Sequence, residues 1–351
     1  MGRRFDFTML DEKQIDEIRG WLEKSQNPVF FFDNDTDGLS SFLLLRRFIG
    51  RGKGVMIKSF PEMHASYFKR VEELKSDVIF IVDKPLVDVN FFEEARQHNI
   101  PVVWIDHHKV QQEVPEYVNY FNSMTGKKPS NEPTSYWCYR VVKQDMWIAI
   151  LGIVGDWFIP DFFKEFARDY PEMVEGKKTA AALLYESKLG ILIRALNFAL
   201  KDSTSNVIKM IKLLQDAKDP NEIFSEEKKY GLIWKKNSQM VSKFNKYFDK
   251  AEKVAKKAGK LIVFKYSGKE KMTSEISNKL AYKYPKKMII VAYVYGDKVS
   301  MSLRGKNIRD YLEEAFKHVE GKGGGHDNAC AGQVKLDDFP KFVEEIEKQL
   351  K

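Results

Sequence analysis

The feature that most constrains the fold is the alternation of short apolar runs with amphipathic stretches between residues 28 and 157. The apolar runs are rich in β-branched and aromatic side chains, as is typical of strands buried in a parallel sheet. The stretches between them have the spacing of crossover helices. The predicted strands are Val29–Asp33, Val55–Phe60, Val78–Asp83 and Val102–Asp106, and the predicted helices are Leu39–Ile49, Ser66–Leu74 and Phe91–His98. The sequence therefore predicts an α/β fold that begins with a doubly wound, mostly parallel sheet.

The chain is long enough for more than one domain, because 351 residues exceed the size that one hydrophobic core usually serves. From about Phe162 to Gly259 the pattern is helical, and strand patterns then return. We expect strands at Leu261–Tyr266, Met288–Tyr295 and Lys298–Leu303, helices at Ser274–Tyr284 and Ile308–His318, and a closing strand and helix. The predicted organisation is an N-terminal α/β domain (1–165), a helical connector (166–258) and a smaller α/β domain (259–351).

The charge is unevenly distributed. The net charge is +8, and residues 201–260 contain 15 lysines and 8 acidic residues, so this stretch carries most of the excess. Such a stretch favours a polyanionic partner, although a solvated helical face explains it equally well. Two distant cysteines, Cys138 and Cys330, indicate neither a disulfide framework nor a zinc cluster. No apolar run is long enough to span a bilayer, so we expect no membrane partner and a cytoplasmic location.

Three of the predicted strands end in an aspartate: Asp33, Asp83 and Asp106. The carboxyl ends of parallel strands form the ligand crevice of an open α/β sheet. We therefore expect these carboxylates to converge on one rim.

The segment Asp33-Asn34-Asp35-Thr36-Asp37-Gly38 presents alternating carboxylates, the oxygen ligands that a hard cation prefers. An EF-hand calcium loop begins similarly, but its twelfth position requires a bidentate Glu and here is Leu44. A simpler alternative is an acidic turn in which Asp37 caps the following helix. The position after a strand favours a cation site.

Imidazoles join these acids in Asp106-His107-His108, and a mixture of imidazole and carboxylate ligands suits Mn²⁺ better than Ca²⁺. Asp156 ends the apolar run from Trp147 in a Gly-x-x-Gly-Asp segment, so a buried carboxylate needs a cation or a hydrogen-bond donor there. A hydrogen-bonded helix end is the alternative for Asp156. Two cations sharing such ligands would suit phosphoryl chemistry. The absence of a Walker loop disfavours NTP-driven transfer.

A second candidate site lies near the C-terminus. Gly323, Gly324 and Gly325 precede His326, so backbone amides there can approach an anion closely. Arg304, at the end of a predicted strand, adds a fork for a phosphate. A flexible glycine turn is the alternative interpretation.

Taken in order, these motifs resemble the DHH phosphoesterase superfamily with its C-terminal DHHA1 domain. The resemblance implies two divalent cations, Mn²⁺ or alternatively Mg²⁺, held by Asp33, Asp35, Asp83, His107 and Asp156, with Asp83 as the bridge. It also implies that Asp106 orients His107, that His108 faces the scissile phosphate, and that Arg304, the glycines and His326 bind substrate. Asp37 resembles the RecJ-like exonuclease branch and is counted with the catalytic residues. Val29 departs from members that cleave small phosphate compounds, which often carry a histidine there.

The resemblance therefore implies a nuclease that removes nucleotides from single-stranded DNA or RNA or from short oligonucleotides, with a replication or repair protein as a further partner. The alternatives are a phosphatase or phosphodiesterase for a small nucleotide, such as 3′-phosphoadenosine 5′-phosphate or a cyclic dinucleotide, and a replication scaffold without activity. All five expected ligand positions are filled, which disfavours the scaffold.

Overall fold

The architecture is that of a computed structural model, which describes residues 10–59, 62–125, 129–225 and 227–350. Residues 1–9 and the predicted end of the second strand at Phe60 lie outside the described residues. The chain divides into two compact units, residues 1–237 and 238–351. In the described ranges, no helix has both the length and the apolarity needed to cross a membrane.

The first unit is built on a parallel five-stranded sheet in the order β2-β1-β4-β6-β7. Its strands are β1 (Val29–Phe32), β2 (Lys53–Met56), β4 (Ile79–Val82), β6 (Val102–Asp106) and β7 (Asn119–Asn122). A separate parallel pair consists of β3 (Glu62–Met63) and β5 (Leu86–Val87). The predicted α/β fold with a parallel N-terminal sheet is confirmed.

Both faces of this sheet are covered by apolar cores. Side chains along a strand alternate between the two faces, so successive residues enter different cores. In β1, Phe30 and Phe32 enter one apolar core, whereas Val29 and Phe31 enter the core on the opposite face. All four are fully buried, which explains why the strand reads as a continuous apolar run.

The helices of the first unit flank the sheet and extend well beyond it. They are α1 (Glu12–Lys24), α2 (Thr36–Ile49), α3 (Phe68–Leu74), α4 (Val89–Gln97), α5 (Thr134–Val142), α6 (Met146–Gly155), α7 (Phe163–Asp169), α8 (Pro171–Val174), α9 (Ala180–Glu186), α10 (Lys188–Leu200), α11 (Thr204–Asp216) and α12 (Pro220–Ser225). Side chains of α7 to α12 join the same core as α2 and α6. Most of the predicted connector is therefore part of the first compact unit, and the unit boundary falls within α13 (Glu227–Lys257).

The second unit has a five-stranded mixed sheet in the order β11-β12-β10-β9-β8. Its elements are β8 (Leu261–Tyr266), α14 (Thr273–Lys283), β9 (Met288–Tyr295), β10 (Lys298–Arg304), α15 (Ile308–Phe316), β11 (Gly321–His326), β12 (Ala329–Lys335) and α16 (Phe339–Gln349). On the lysine-rich helix α13, Phe244 and Phe248 stack at 5.6 Å and are buried, and the ammonium of Lys279 lies over both rings. The aromatic face of α13 is thus packing surface, and its lysines lie on the other faces.

The glycine run does not form the flexible turn of the alternative interpretation. Instead of forming a turn, Gly321–His326 is strand β11 at the edge of the sheet, paired antiparallel with β12. Glycine has low strand propensity, so its sequence pattern contained no strand signal. The strand forms because its backbone pairs with that of β12, and not because its residues favour a strand.

Candidate active site

Adjacent strand ends bring three aspartates to one rim of the first sheet. Phe32 pairs with Val82, and Val82 pairs with Ile105, so the next residues of these three neighbouring segments, Asp33, Asp83 and Asp106, lie at the same level of the rim. Asp83 and Asp106 are almost completely buried, and Asp33 retains 20% side-chain exposure. Asp83 has a left-handed backbone with φ of 60°, a conformation that Asp adopts more readily than most residues.

Asp35 belongs to the start of α2. Its side chain accepts a hydrogen bond of 2.9 Å from the backbone N–H of Gly38, which makes it the N-cap of the helix. A Cβ at Gly38 would lie 2.6 Å from the carbonyl oxygen of Asp33, so only glycine lets the acidic loop fold over the helix. Asp35 is exposed at the rim.

Asp37 holds the start of another helix. Its buried carboxylate accepts hydrogen bonds from the backbone N–H of Thr134 at 2.9 Å and of Ser135 at 3.0 Å, and from the hydroxyl of Ser135. These donors are the unsatisfied amides of the first turn of α5. Asp35 therefore caps α2, and Asp37 fastens α5, which is a different helix from the one that the simple acidic turn predicts.

The Asp-His-His segment begins at Asp106, the last residue of β6. Asp106 Oδ1 lies 2.8 Å from Nδ1 of His108, and Asp106 Oδ2 accepts from the backbone N–H of His108 and from the side-chain amide of Asn122. The structure therefore assigns the orienting role of Asp106 to His108, where the resemblance implied His107. The His108 side chain is 20% exposed, whereas that of His107 is 2% exposed.

Asp156 reaches the rim from the C-terminal end of α6. Glycines at positions 152 and 155 lie on one face of this helix, since they are three residues apart. A Cβ at Gly155 would lie 2.3 Å from Oγ1 of Thr36, so the Gly-x-x-Gly spacing lets α6 pack directly against the start of α2. This close packing places Asp156 beside the acidic loop.

His107 is the point at which these elements meet. Its Nε2 lies 3.5 Å from Oδ1 of Asp83, 3.7 Å from Oδ2 of Asp156 and 4.0 Å from Oδ2 of Asp37. The ligand atoms of Asp37, Asp83 and His107 all lie within 4.8 Å of one another, close enough to hold one metal ion. One imidazole and carboxylates from three elements thus form a compact cluster.

The charges of this cluster fit a cation. Burial, followed by the like charges of Asp37, Asp35 and Asp33, raises the pKa of Asp83 well above its usual value. Desolvation, together with the charges of Asp33 and Asp37, raises the pKa of Asp35 to about 6, even though part of its surface is exposed. Acids so close together repel one another unless positive charge lies between them. Divalent cations held by oxygen and imidazole ligands would provide that charge.

One positive charge of the protein already lies in the cluster. The ammonium of Lys84, a fully buried side chain, donates to Oδ1 of Asp33 at 2.8 Å and to the carbonyl oxygen of Ser59 at 2.8 Å. Its backbone carbonyl accepts from the indole N–H of Trp104. Sequence reasoning found no role for Lys84, because nothing in Asp83-Lys84-Pro85 indicates that the side chain turns back to the first acidic loop.

His108 has a distinct electrostatic environment. Burial lowers its pKa, but the charge of Asp106 and the hydrogen bond to that carboxylate outweigh burial and raise the pKa to about 9. The imidazole is therefore held in one orientation by Asp106 while part of the ring reaches solvent.

Asn122, Thr134 and Ser135 are site residues that the sequence did not reveal. Asn122 ends β7, a strand whose polar residues hid it from the apolar pattern. Thr134 and Ser135 start α5, and Thr134 Oγ1 lies 3.3 Å from Asp83 Oδ1. The sequence did contain one signal for Asn122: it is a polar residue at the end of a strand, as Asp106 is at the end of β6.

The residues of the predicted C-terminal site all lie within the second unit. Arg304 and His326 both pair with Ala329, from strands on either side of β12, so they lie at the same end of the sheet. Arg304 donates from Nε to the side chain of Asn278 at 2.6 Å and from Nη1 to the carbonyl oxygen of Leu303 at 2.7 Å. Gly323, Gly324 and Gly325 lead to His326 along β11.

Comparison with known families identifies both units. Residues 29–149 match the N-terminal domain of the DHH family, and residues 258–351 match the DHHA1 domain. A comparison with curated proteins found no match.

Solved structures with the same fold include RecJ proteins. A RecJ in complex with Mn²⁺ from Thermus thermophilus has 14% identity and a TM-score of 0.69, over 97% of this chain and 55% of that chain. An exonuclease RecJ bound to manganese has 14% identity and a TM-score of 0.64, over 98% and 96%. The DHH domain of a member of a family of ribosomal proteins has 13% identity and a TM-score of 0.67, over 96% and 89%.

At these identities the similarity shows the fold, and this chain spans about half the length of the first of the three. The two domain matches, in this order along one chain and on the two folded units described above, show that the protein belongs to the DHH family and carries a C-terminal DHHA1 domain.

Proposed function

We propose that this protein is a metal-dependent phosphodiesterase that removes nucleotides from an end of single-stranded DNA or RNA. The observation that carries the proposal is the meeting of Asp83, Asp156 and Asp37 within 4.0 Å of Nε2 of His107. Such a set suits divalent transition ions of the Mn²⁺ type, with Mg²⁺ as the alternative.

The proposed ligands of two cations are Asp33, Asp35, Asp83, His107 and Asp156. When bound, the cations would supply Lewis acidity towards the phosphate oxygens and the attacking water. The fit is supported by the raised pKa of Asp83, which results from burial and then from the like charges of Asp37, Asp35 and Asp33. Asp37 is already engaged by the first turn of α5, so we propose that it positions the cluster by holding that helix.

His108 is proposed to contact the substrate phosphate. Asp106 fixes its Nδ1 at 2.8 Å, so the ring cannot rotate freely, and part of the ring is exposed to solvent. A held imidazole near a phosphate loses little orientational freedom on binding, which is the benefit of a preorganised site.

Nucleic acid as the substrate class is supported by charge and by the second unit. On α13, Lys246, Lys250 and Lys253 are exposed. Lysines spaced along a helix suit the phosphates of a strand. Arg304 and His326, at one end of the second sheet, are proposed to bind a phosphate group.

The test uses single-stranded DNA and RNA of graded length, labelled at either end, with Mn²⁺, Mg²⁺ or EDTA. Stepwise mononucleotide release that requires a divalent ion is the expected result. Asp35→Asn should abolish release, whereas Asp11→Asn, at the N-cap of α1, should not, because both changes keep a capping side chain and only one removes a proposed ligand.

Other outcomes would revise or overturn the proposal. Exclusive consumption of 3′-phosphoadenosine 5′-phosphate or cyclic dinucleotides would replace the substrate class with small nucleotides. Failure to hydrolyse any of these compounds in either metal would leave a scaffold for a replication or repair partner as the function.

A further inference from the structure

The end of helix α6 contains an unusual residue for its backbone conformation. The N–H of Trp157 donates to the carbonyl oxygen of Val154, and the N–H of Phe158 donates to that of Ile153, both at 3.0 Å. These two bonds define a Schellman motif, in which the residue after the C-cap adopts the left-handed conformation. Trp157 occupies that position with φ of 64°. Glycine is the usual residue there because a Cβ is strained in this conformation.

Burial does not explain the choice of tryptophan. Trp157 is 38% exposed, and it is the most exposed tryptophan among the residues that the structure describes. A buried aromatic side chain would recover the strain through packing, whereas this indole leaves much of its surface in water. Strained backbone of this kind is characteristic of functional sites.

The position of Trp157 ties it to the metal cluster. It directly follows Asp156, whose carboxylate lies 3.7 Å from His107, and consecutive Cα atoms are about 3.8 Å apart. The residue that carries the indole is therefore the chain neighbour of a carboxylate of the cluster.

The indole of Trp157 contacts a second aromatic ring, which in turn contacts a cation. Its ring meets that of Tyr185 edge-on at 6.1 Å, and the guanidinium of Arg194 lies over the Tyr185 ring at 5.8 Å. Nη1 of Arg194 is buried, with no hydrogen-bond partner among the described residues. Exposed aromatic side chains, together with nearby cations, are the groups with which proteins bind the bases of single strands.

We infer that Trp157 stacks on the nucleobase of the nucleotide whose phosphodiester lies at the metal cluster, with Tyr185 and Arg194 supporting the indole from behind. The inference rests on the proposed function and adds to it. Every base has a π-face, so this contact favours a substrate that carries a base at the cleavage site without selecting among the bases.

The test compares Trp157→Gly, Trp157→Phe and wild type in Mn²⁺-dependent hydrolysis of a single-stranded oligonucleotide. Trp157→Gly should raise KM roughly tenfold, corresponding to about 1.4 kcal/mol, with kcat changed by less than about twofold. Trp157→Phe should stay within about threefold of wild type. Glycine suits the left-handed position, so the unfolding midpoint of Trp157→Gly should not fall.

Two controls separate stacking from a structural effect. Lys143, the exposed C-cap of α5, is also left-handed with φ of 52°, and Lys143→Gly should leave KM unchanged. An oligonucleotide with an abasic nucleotide at the cleaved position should raise the KM of wild type roughly tenfold and that of Trp157→Gly hardly at all.

A binding readout distinguishes failure of the inference from failure of the proposed function. Mixing wild type with the oligonucleotide should quench tryptophan fluorescence, and the quench should be lost in Trp157→Phe. An unchanged KM in Trp157→Gly, or a quench that persists in Trp157→Phe, overturns the inference. Absence of hydrolysis with a Trp157-dependent quench overturns the proposed activity and retains the base contact.

Discussion

The ammonium group of Lys84 lies 2.8 Å from Oδ1 of Asp33, and the lysine side chain has no exposed surface. The pair joins the residue after β1 to the second residue after β4, so a cation belonging to the protein lies within the acidic rim. Its contribution should therefore depend on whether metal is bound.

Replacing Lys84 with Met should lower the free energy of unfolding by about 3 kcal/mol in EDTA, because the partner carboxylate remains largely buried without its cation. Added Mn²⁺ should reduce this loss, since the metal supplies positive charge to the same carboxylates. Urea unfolding with and without Mn²⁺ measures both. Lys58→Met, at an exposed lysine of the same region, should change stability by less than about 0.5 kcal/mol. Equal losses with and without metal would contradict the expectation.

Asp35→Asn separates the two proposed roles of that side chain, capping helix α2 and binding a metal ion. Asparagine is a good N-cap, so the helix start at Gly38 should keep its hydrogen bond and the melting temperature should change little. Loss of the charge should weaken Mn²⁺ binding by more than about tenfold, since even the partners of metal ligands contribute roughly 10- to 100-fold. Calorimetric titration with Mn²⁺ gives the affinity. Asp35→Ala should lose both properties, with a further cost of about 1 kcal/mol in stability.

Gly155→Ala should destabilise the protein by about 2 kcal/mol, because the new Cβ would lie 2.3 Å from Oγ1 of Thr36. Removing that oxygen leaves the Thr36 Cβ, at 3.3 Å, as the nearest atom. The double variant Gly155→Ala/Thr36→Ala should therefore be more stable than the sum of the single changes predicts, by at least about 1 kcal/mol. Denaturant melts of the four proteins complete the cycle. Strict additivity would mean that this contact does not limit the packing of α6.

Lys246, Lys250 and Lys253 are exposed on α13, and changing all three to Gln should reduce the salt dependence of single-strand binding. The slope of log K against log salt should fall by about 2, at about 0.7 for each phosphate that is no longer neutralised. Fluorescence anisotropy at several salt concentrations measures it. Lys13, Lys24 and Lys69, which are exposed in the first unit, provide a control variant with the same change in net charge. An equal effect in both variants would indicate long-range attraction only.

The sequence predicted the central strands well where their chemistry was uniform. Phe30, Phe31 and Phe32 can be recognised because both faces of β1 are covered, and Asp33 and Asp83 mark the strand ends because a charge terminates each apolar run. β7 was missed because Asn119 and Asn122 interrupt the pattern.

The contacts of the site were less predictable than its residues. Which helix Asp37 fastens, and which imidazole Asp106 holds, depends on how segments distant along the chain pack together. The periodicity of apolar residues indicates which side chains are buried, but it does not indicate which residues they contact. The ion pair of Lys84 with Asp33, 51 positions apart, therefore had no local signal in the sequence. Resemblance to the family supplied the set of site residues, and tertiary packing supplied their connections.

The glycine-rich strand β11 lies at the edge of the sheet that carries Arg304, where β12 is the strand that pairs with it. Ordering glycine costs more chain entropy than ordering any other residue, and these residues bring few side chains to anchor them. Amide protons of Gly323–Gly325 should therefore exchange with solvent sooner than those of β9 and β10. The outer rim of the DHHA1 sheet would then be able to detach and re-form around a ligand while the rest of that domain stays folded.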